Sequence, residues 1–167
     1  MSATSEFIPL SISVLTVSDT RTAATDTSGQ ALVELLTHVG HRLFDRALVK
    51  DDIYQIRARV SHWIADTACQ VIVITGGTGF AGRDSTVEAV EPLFDKTVVG
   101  FGELFRQISY EEIGSSTIQS RATAGLANRT LIFCLPGSTG ACKTAWTIIA
   151  EQLDARHRPC NFVGQLV

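Results

Sequence analysis

Two short runs constrain this chain more than any other feature: Val71–Thr75 (VIVIT) and Leu131–Leu135 (LIFCL). Neither alternates apolar with charged residues, so neither suits a sheet with one wet face. A continuous run of this kind belongs in a strand covered on both faces of a parallel sheet. Each run ends in a glycine-containing turn, Gly76–Gly82 after the first and Gly137–Gly140 after Pro136 of the second. Each turn leads into a helical pattern. Strand, turn and returning helix make half of a parallel crossover unit.

The rest of the chain repeats the alternation. Ile12–Val17 reads as a strand and the small, polar Ser18–Thr27 as a loop. Ser28 is placed to cap the next helix. Ala31, Leu32, Leu35, Leu36 and Val39 recur there at helical spacing, and Gly40 suits its stop. Leu43–Val49 is a second strand. Asp51 or Asp52 caps a helix carrying Ile53, Ile56, Val60 and Ile64 on one face. Further helices are expected from near Asp84, with Val87, Val90 and Phe94 inward, over Phe101–Ile108, and from Ala141 to Leu153. Residues 109–129 carry no clear pattern. The order predicts an α/β fold, an open and mostly parallel sheet with helices on both faces. Ligands of such sheets bind beyond the carboxyl ends of the strands. Three loops end there: Ser18–Ser28, Gly76–Asp84 and Pro136–Gly140.

With 167 residues, 45% of them hydrophobic, residues 1–167 suit one domain around a sizeable core, with 1–8 as a flexible N-terminal segment. The net charge is −3 and no Lys/Arg run stands out, so no nucleic-acid partner is expected. The start MSATSEFIPL has no basic, apolar signal pattern, and no window approaches the roughly 20 apolar residues of a membrane helix. A cytoplasmic protein without a membrane partner is expected. Cys69, Cys134, Cys142 and Cys160 form no CxxC pair and do not alternate with His38, His41, His62 and His157 at ligand spacing. They read as reduced thiols, with Cys134 a small hydrophobe in its strand.

The glycine turn carries the chemistry. Gly76, Gly77 and Gly79 let the backbone turn sharply and present N–H groups, and the next helix N-terminus adds partial positive charge. That combination suits phosphate, although a plain strand-to-helix turn also uses glycine. Gly77, Gly79 and Gly82 satisfy GxGxxG, and Glu103 has about the spacing of a ribose-binding acid. Glu103 lies in VGFGELF, however, which reads as a turn into a helix. GSTGACKT (Gly137–Thr144) is close to a Walker A loop, but Cys142 stands where glycine must precede the lysine, so Lys143 reads as a solvated helix residue. Asp84 follows the glycine turn, where it caps a helix or reaches phosphate through a divalent cation. Asp51 ends a strand on the same side of the sheet. Two carboxylates near a phosphate loop point to metal-assisted phosphoryl or nucleotidyl transfer.

TVSD (Thr16–Asp19), DTSG (Asp26–Gly29), TGGTG (Thr75–Gly79) and GRDSTVEA (Gly82–Ala89) occur in that order. GFGE with Arg106, then Ser120–Arg121 and LPGS (Leu135–Ser138) follow. The series covers nearly the whole chain and resembles the MoaB/Mog family of molybdopterin-binding proteins, with Thr117–Ala122 and the RPCNF tail closest to its B branch. The resemblance implies a three-layer α/β/α sandwich, assembled as a homotrimer or homohexamer. It implies that molybdopterin and Mg-ATP bind, that AMP is joined to molybdopterin with release of pyrophosphate, and that a molybdate-inserting enzyme takes the product. A non-catalytic molybdopterin-binding or scaffold protein of the same pathway is the alternative. Carried over residue by residue, Thr75, Gly76, Gly77, Thr78, Gly79, Gly137 and Ser138 hold nucleotide phosphate. Asp51 and Asp84 are catalytic and hold Mg²⁺. Ser18, Asp19, Ser28, Gly29 and Ser120 contact molybdopterin. Val87, Val99 and Thr139 replace prolines of the family pattern, and Lys50 stands where the active branch often has proline. Some B-branch members lack the first aspartate; here both positions keep one.

Overall fold

The computed structural model describes residues 6–167. Residues 1–5 of the expected flexible segment lie outside the described residues. Phe7 is held, its ring 5.0 Å from that of His41 and 5.3 Å from the Arg156 guanidinium.

One six-stranded sheet organises the chain, in the order β2-β1-β3-β6-β5-β4. Its strands are β1 (Ser11–Val17), β2 (Arg42–Val49), β3 (Val71–Thr75), β4 (Lys96–Thr97), β5 (Thr123–Ala127) and β6 (Thr130–Leu135). The first four strands in that order pair in parallel, and β5 and β4 close the edge antiparallel. The expected mostly parallel sheet is present. VIVIT and LIFCL lie side by side at its centre, every residue buried.

Alternate side chains of these strands feed two separate cores, because successive residues of a strand point to opposite faces. Ile12, Val14, Val71, Val73, Leu131, Phe133 and Leu135 join the core under α1 (Thr27–His38), α4 (Val99–Ile113) and α5 (Thr139–Gln152). Leu15, Val17, Ile72, Ile74, Ile132 and Cys134 join the core under α2 (Ile53–Ala65) and α3 (Thr86–Val90). The result is the three-layer α/β/α arrangement. A short α6 (Val163–Leu166) ends the chain. No helix among the described residues is long and apolar enough to cross a membrane.

Several local readings change. Asp26, not Ser28, caps α1: its Oδ1 accepts the Gly29 N–H at 2.9 Å. Asp52 caps α2, accepting the N–H groups of Tyr54 and Gln55 at 3.0 and 2.9 Å. The helix expected from Asp84 is only Thr86–Val90, extended by a 3₁₀ turn over Glu91–Leu93. Phe94, beyond that turn, packs over Gly125 of β5. The Phe101–Ile108 helix is longer, Val99–Ile113, and a 3₁₀ turn over Gly114–Gln119 follows it. Cys69, Cys134 and Cys142 are buried free thiols and Cys160 is an exposed one.

Candidate functional site

β1, β3 and β6 end together, and the loops after Val17, Thr75 and Leu135 wall a cavity of about 550 Å³. From β1 the chain turns outward to β2, and it returns to lay β3 on the other side of β1. That change of direction opens the crevice in which ligands of such sheets sit. A second wall comes from α4 and the 3₁₀ turn after it, through Phe105, Ser109, Glu112 and Thr117.

The glycine turn is built so that its carbonyls are used, while of its amides only that of Gly76 is, donating to the Leu135 carbonyl at 3.0 Å. Gly76 and Gly77 adopt φ of 100° and 70°, a region that other residues enter at a cost. The Thr86 hydroxyl donates to the Gly76 carbonyl at 2.7 Å and its N–H to the Gly77 carbonyl at 3.0 Å. The Arg121 N–H donates to the Thr78 carbonyl at 3.3 Å, and its Nε–H to the Gly79 carbonyl at 2.9 Å. Four consecutive carbonyls are thus engaged. Among the described residues no acceptor takes the N–H of Gly77, Thr78 or Gly79. A row of unclaimed amides beside a cavity is a nest for anionic oxygen.

The second turn adds to it. Gly137 lies against Gly76: a Cβ there would stand 3.4 Å from the Gly76 Cα, in ordinary van der Waals contact. The Ser138 hydroxyl caps α5 by accepting the Ala141 N–H at 3.1 Å, and Gly140 in the first turn of α5 lines the cavity. A helix of this length brings partial positive charge to its start. Arg21 is the one cationic side chain among the described residues lining the cavity, and it donates to Thr27 Oγ1 at 2.9 Å.

The two expected carboxylates stand at opposite ends of the glycine turn. Asp84 lines the cavity, and its Oδ2 accepts the Ala81 N–H at 2.8 Å. Asp51 Oδ1 accepts from the Ser85 N–H at 3.0 Å and from the Ser85 hydroxyl. A Cβ on Gly77 would lie 2.9 Å from Asp51 Oδ2, and one on Gly79 2.7 Å from Asp84 Oδ2. Asp84 thus holds the turn through one oxygen and Asp51 holds Ser85 just beyond it through one, and each keeps lone pairs in hand. Asp19 supports the Asp51 backbone: it accepts the Asp51 N–H at 3.2 Å and pairs with Arg83 Nε at 2.7 Å. Desolvation raises the Asp19 carboxyl, but the bonds from Arg83 and the Asp51 N–H and the charges of Arg83 and Lys50 together outweigh it and hold that group below the usual carboxylate value.

Of the residues expected in the site, Ser18, Thr75, Gly76, Gly77, Thr78, Gly79, Asp84, Ser120, Gly137 and Ser138 line the cavity. Asp19, Ser28, Gly29 and Asp51 do not. Ser28 is buried and donates to the Gly137 carbonyl at 2.8 Å, which braces the second turn. Gly29 leaves room for Asp26, whose Oδ2 a Cβ there would meet at 2.1 Å. Asp26 itself also takes the Thr16 hydroxyl at 2.8 Å and Arg46 Nη2 at 3.0 Å. Burial pushes the Asp26 carboxyl up; the Arg46, Gly29 and Thr16 bonds together outweigh it and hold it below the ordinary value.

Arg121 was visible only as half of an SR pair, yet it clamps both ends of the loop that carries Asp84. Besides Gly79, its guanidinium donates to the Asp84 carbonyl at 2.9 Å, pairs with Glu88 and lies 5.2 Å from the Phe80 ring centre. The two near-motifs do not hold. Only a five-residue helix follows the GxGxxG glycines, and Glu103 lies inside α4 rather than at a strand end. Lys143 faces a separate surface depression with Thr27 and Gln30, and Cys142 is fully buried beneath Thr75.

Comparison with known proteins agrees with this architecture. Residues 13–155 match the family model described as a probable molybdopterin binding domain. Molybdenum cofactor biosynthesis protein B of Escherichia coli K12 is 59% identical over 158 residues, covering 94% of this chain and 93% of its own length. A crystal structure of a molybdenum cofactor biosynthesis protein B superposes with a TM-score of 0.80 at 47% identity, over 83% of this chain and 86% of that one. The molybdopterin biosynthesis enzyme MoaB of Thermus thermophilus gives 0.76 at 32% identity, over 84% and 89%. Nearly the whole chain is thus shared in sequence and in fold, and the chain belongs to the molybdopterin-binding-domain family of molybdenum cofactor biosynthesis protein B.

Proposed function

We propose that this protein binds molybdopterin in the cavity at the carboxyl end of the sheet and joins AMP to it, using Mg-ATP. The observation that carries the reading is the row of unclaimed N–H groups at Gly77–Gly79, flanked by Asp51 and Asp84. An oxygen of the terminal phosphate of molybdopterin attacks the α-phosphorus of ATP. A P–O bond forms there, the α–β anhydride bond breaks, and pyrophosphate leaves with the electron pair. The amides and the start of α5 stabilise charge that builds on phosphate oxygens without having to reorganise. A bound magnesium ion would neutralise phosphate charge, and the lone pairs that Asp51 and Asp84 keep fit them to hold it. Ser85 fixes Asp51, and Arg121 fixes the loop under Asp84. The adenylylated product would pass to a molybdate-inserting protein, and the protein would act as a homotrimer or homohexamer.

The test mixes purified protein with molybdopterin, ATP and magnesium and looks for adenylyl-molybdopterin and pyrophosphate. Asp84→Asn keeps the shape and removes the charge, and it should lower turnover by about 10²-fold or more with folding unchanged. A protein that binds both ligands and makes no product would overturn the catalytic part. A second reading, a molybdopterin-binding protein without chemistry, is favoured by one observation: Asp51 does not line the cavity and is already engaged by Ser85. It predicts molybdopterin binding that is indifferent to magnesium.

A further inference from the structure

We propose that Glu112, on the α4 wall of the cavity, is the residue that selects a pterin by pairing with its guanidine-like edge. This rests on the reading of the cavity as a molybdopterin site and says which wall takes which end of the ligand.

The cavity is chemically two-sided. Around the glycine turns it offers N–H groups, a helix start and Arg21, all complementary to anionic oxygen. The wall from α4 and its 3₁₀ turn has a different character. It is lined by Phe105, Ser109 and Thr117, all buried, the Thr117 hydroxyl donating to the Arg106 carbonyl at 3.2 Å, and by one carboxylate, Glu112. A carboxylate does not recognise phosphate, since the charges repel. Its strongest partner is a pair of adjacent N–H donors in one plane, which it takes two at a time.

Glu112 is pre-set for such a role. The Thr144 hydroxyl on α5 lies 2.9 Å from both Oε1 and Oε2, so its one proton can serve either oxygen, with the Gly140 carbonyl at 3.1 Å as its other acceptor. Thr144 is itself buried. A carboxylate has about four lone-pair sites, so a single hydroxyl proton leaves most of them open to a ligand. The amides and this wall line the same cavity, so a ligand that sets a phosphate on the amides can lay a flat ring toward the wall, beside the buried Phe105.

Ring chemistry then decides which base fits. The pyrimidine half of a pterin carries an N3–H beside a 2-amino group, two parallel donors at the spacing of a carboxylate. Adenine has one amino group flanked by acceptor nitrogens and meets a carboxylate with repulsion on each side. Glu112 therefore assigns this wall to the pterin and leaves the adenine of ATP to another part of the surface.

The experiment measures binding by calorimetry with a stable probe, neopterin monophosphate, which keeps both the pterin edge and a phosphate. Its partner probe is the lumazine analogue with the same side chain, in which the 2-amino group is a carbonyl. Wild-type protein should bind the pterin about ten- to a hundredfold tighter than the lumazine, the range expected for hydrogen bonds to a charged group. Glu112→Gln should lose most of that preference while its affinity for pyrophosphate stays unchanged. Equal binding of the two probes by wild-type protein would overturn the assignment without depending on any variant, and so would an unaltered preference in Glu112→Gln. Failure of wild-type protein to bind either molybdopterin or the probe would instead remove the proposed function and this inference with it.

Discussion

Replacing Gly76 by alanine tests whether the glycine turn is a built nest or an incidental connection. The added Cβ would stand 2.2 Å from the Val17 carbonyl oxygen, a backbone atom at the end of β1 that no side-chain rotation can move. The φ of 100° adds a cost independent of that clash. A left-handed backbone costs an L-residue about 1–2 kcal/mol. Forcing packed atoms apart costs about 1–3 kcal/mol more. The sum, roughly 2–5 kcal/mol, corresponds to a fall in Tm of roughly 5–20 °C for a chain of this size. Gly82→Ala is the matched control: nothing lies within 4 Å of its Cβ, so its change should stay within about 0.5 kcal/mol. Urea unfolding gives both stabilities, and pyrophosphate titration gives the state of the amides. Gly76→Ala should also weaken pyrophosphate binding, because separating β1 from the turn displaces the N–H row. Equal stability of the two variants would refute the steric reasoning. Normal pyrophosphate binding by a destabilised Gly76→Ala would refute the link between this turn and anion recognition.

Asp26 gives a pH test. Its folded carboxyl titrates below the unfolded value of about 3.9, so its contribution is whole above that value and is lost as pH falls through the folded one. Asp26→Asn should therefore cost about 1–3 kcal/mol at pH 7, and denaturation curves should show the gap to wild type closing as pH falls below the unfolded carboxylate value; a gap that stays constant contradicts the reading. Arg121→Lys keeps the charge but cannot fork between the Gly79 and Asp84 carbonyls, so pyrophosphate affinity should fall about tenfold by calorimetry. Ile74→Ala, at a fully buried position in the central strand β3, should lose about 2–5 kcal/mol in urea unfolding with the site chemistry untouched.

The parallel half of the sheet was legible because burial on both faces leaves a composition that no other strand environment tolerates. VIVIT and LIFCL announced it, and the glycines after them announced which end of the sheet carries the cavity. The antiparallel edge was not legible. β5 reads Thr-Ala-Gly-Leu-Ala, with Gly125 kept bare because the Phe94 ring packs where its Cβ would be. The β5–β6 hairpin turns on Asn128 and Arg129, both with positive φ, where the usual signal would be a glycine. α4 outruns its apolar face: its last turns carry Tyr110, Glu111 and Glu112, so the helical spacing fades before the helix does. Asp26 and Ser28 are near-equal as caps by residue type. Thr16 and Arg46, which come to Asp26 from two strands, decide between them.

The same division runs through the site, and it has a physical reason. A phosphate nest needs backbone freedom, and only glycine supplies that, so the requirement is written locally as Gly76-Gly77-Thr78-Gly79. The groups that hold the nest in shape answer to tertiary closure instead. Arg121 reaches the Gly79 carbonyl across 42 positions of sequence, and nothing in its neighbours marks it for that task. Glu112 lies in the stretch whose pattern was unreadable, and it faces the cavity because Thr144, 32 positions away, holds it there. Amides and a helix start accept the phosphate of any ligand. In the proposed reading, selection among phosphates comes from side chains on the α4 wall, the part of the molecule that local sequence rules describe least. The resemblance to a family suggested a ligand class that local rules could not, because it draws on positions spread along the whole chain, as tertiary closure does.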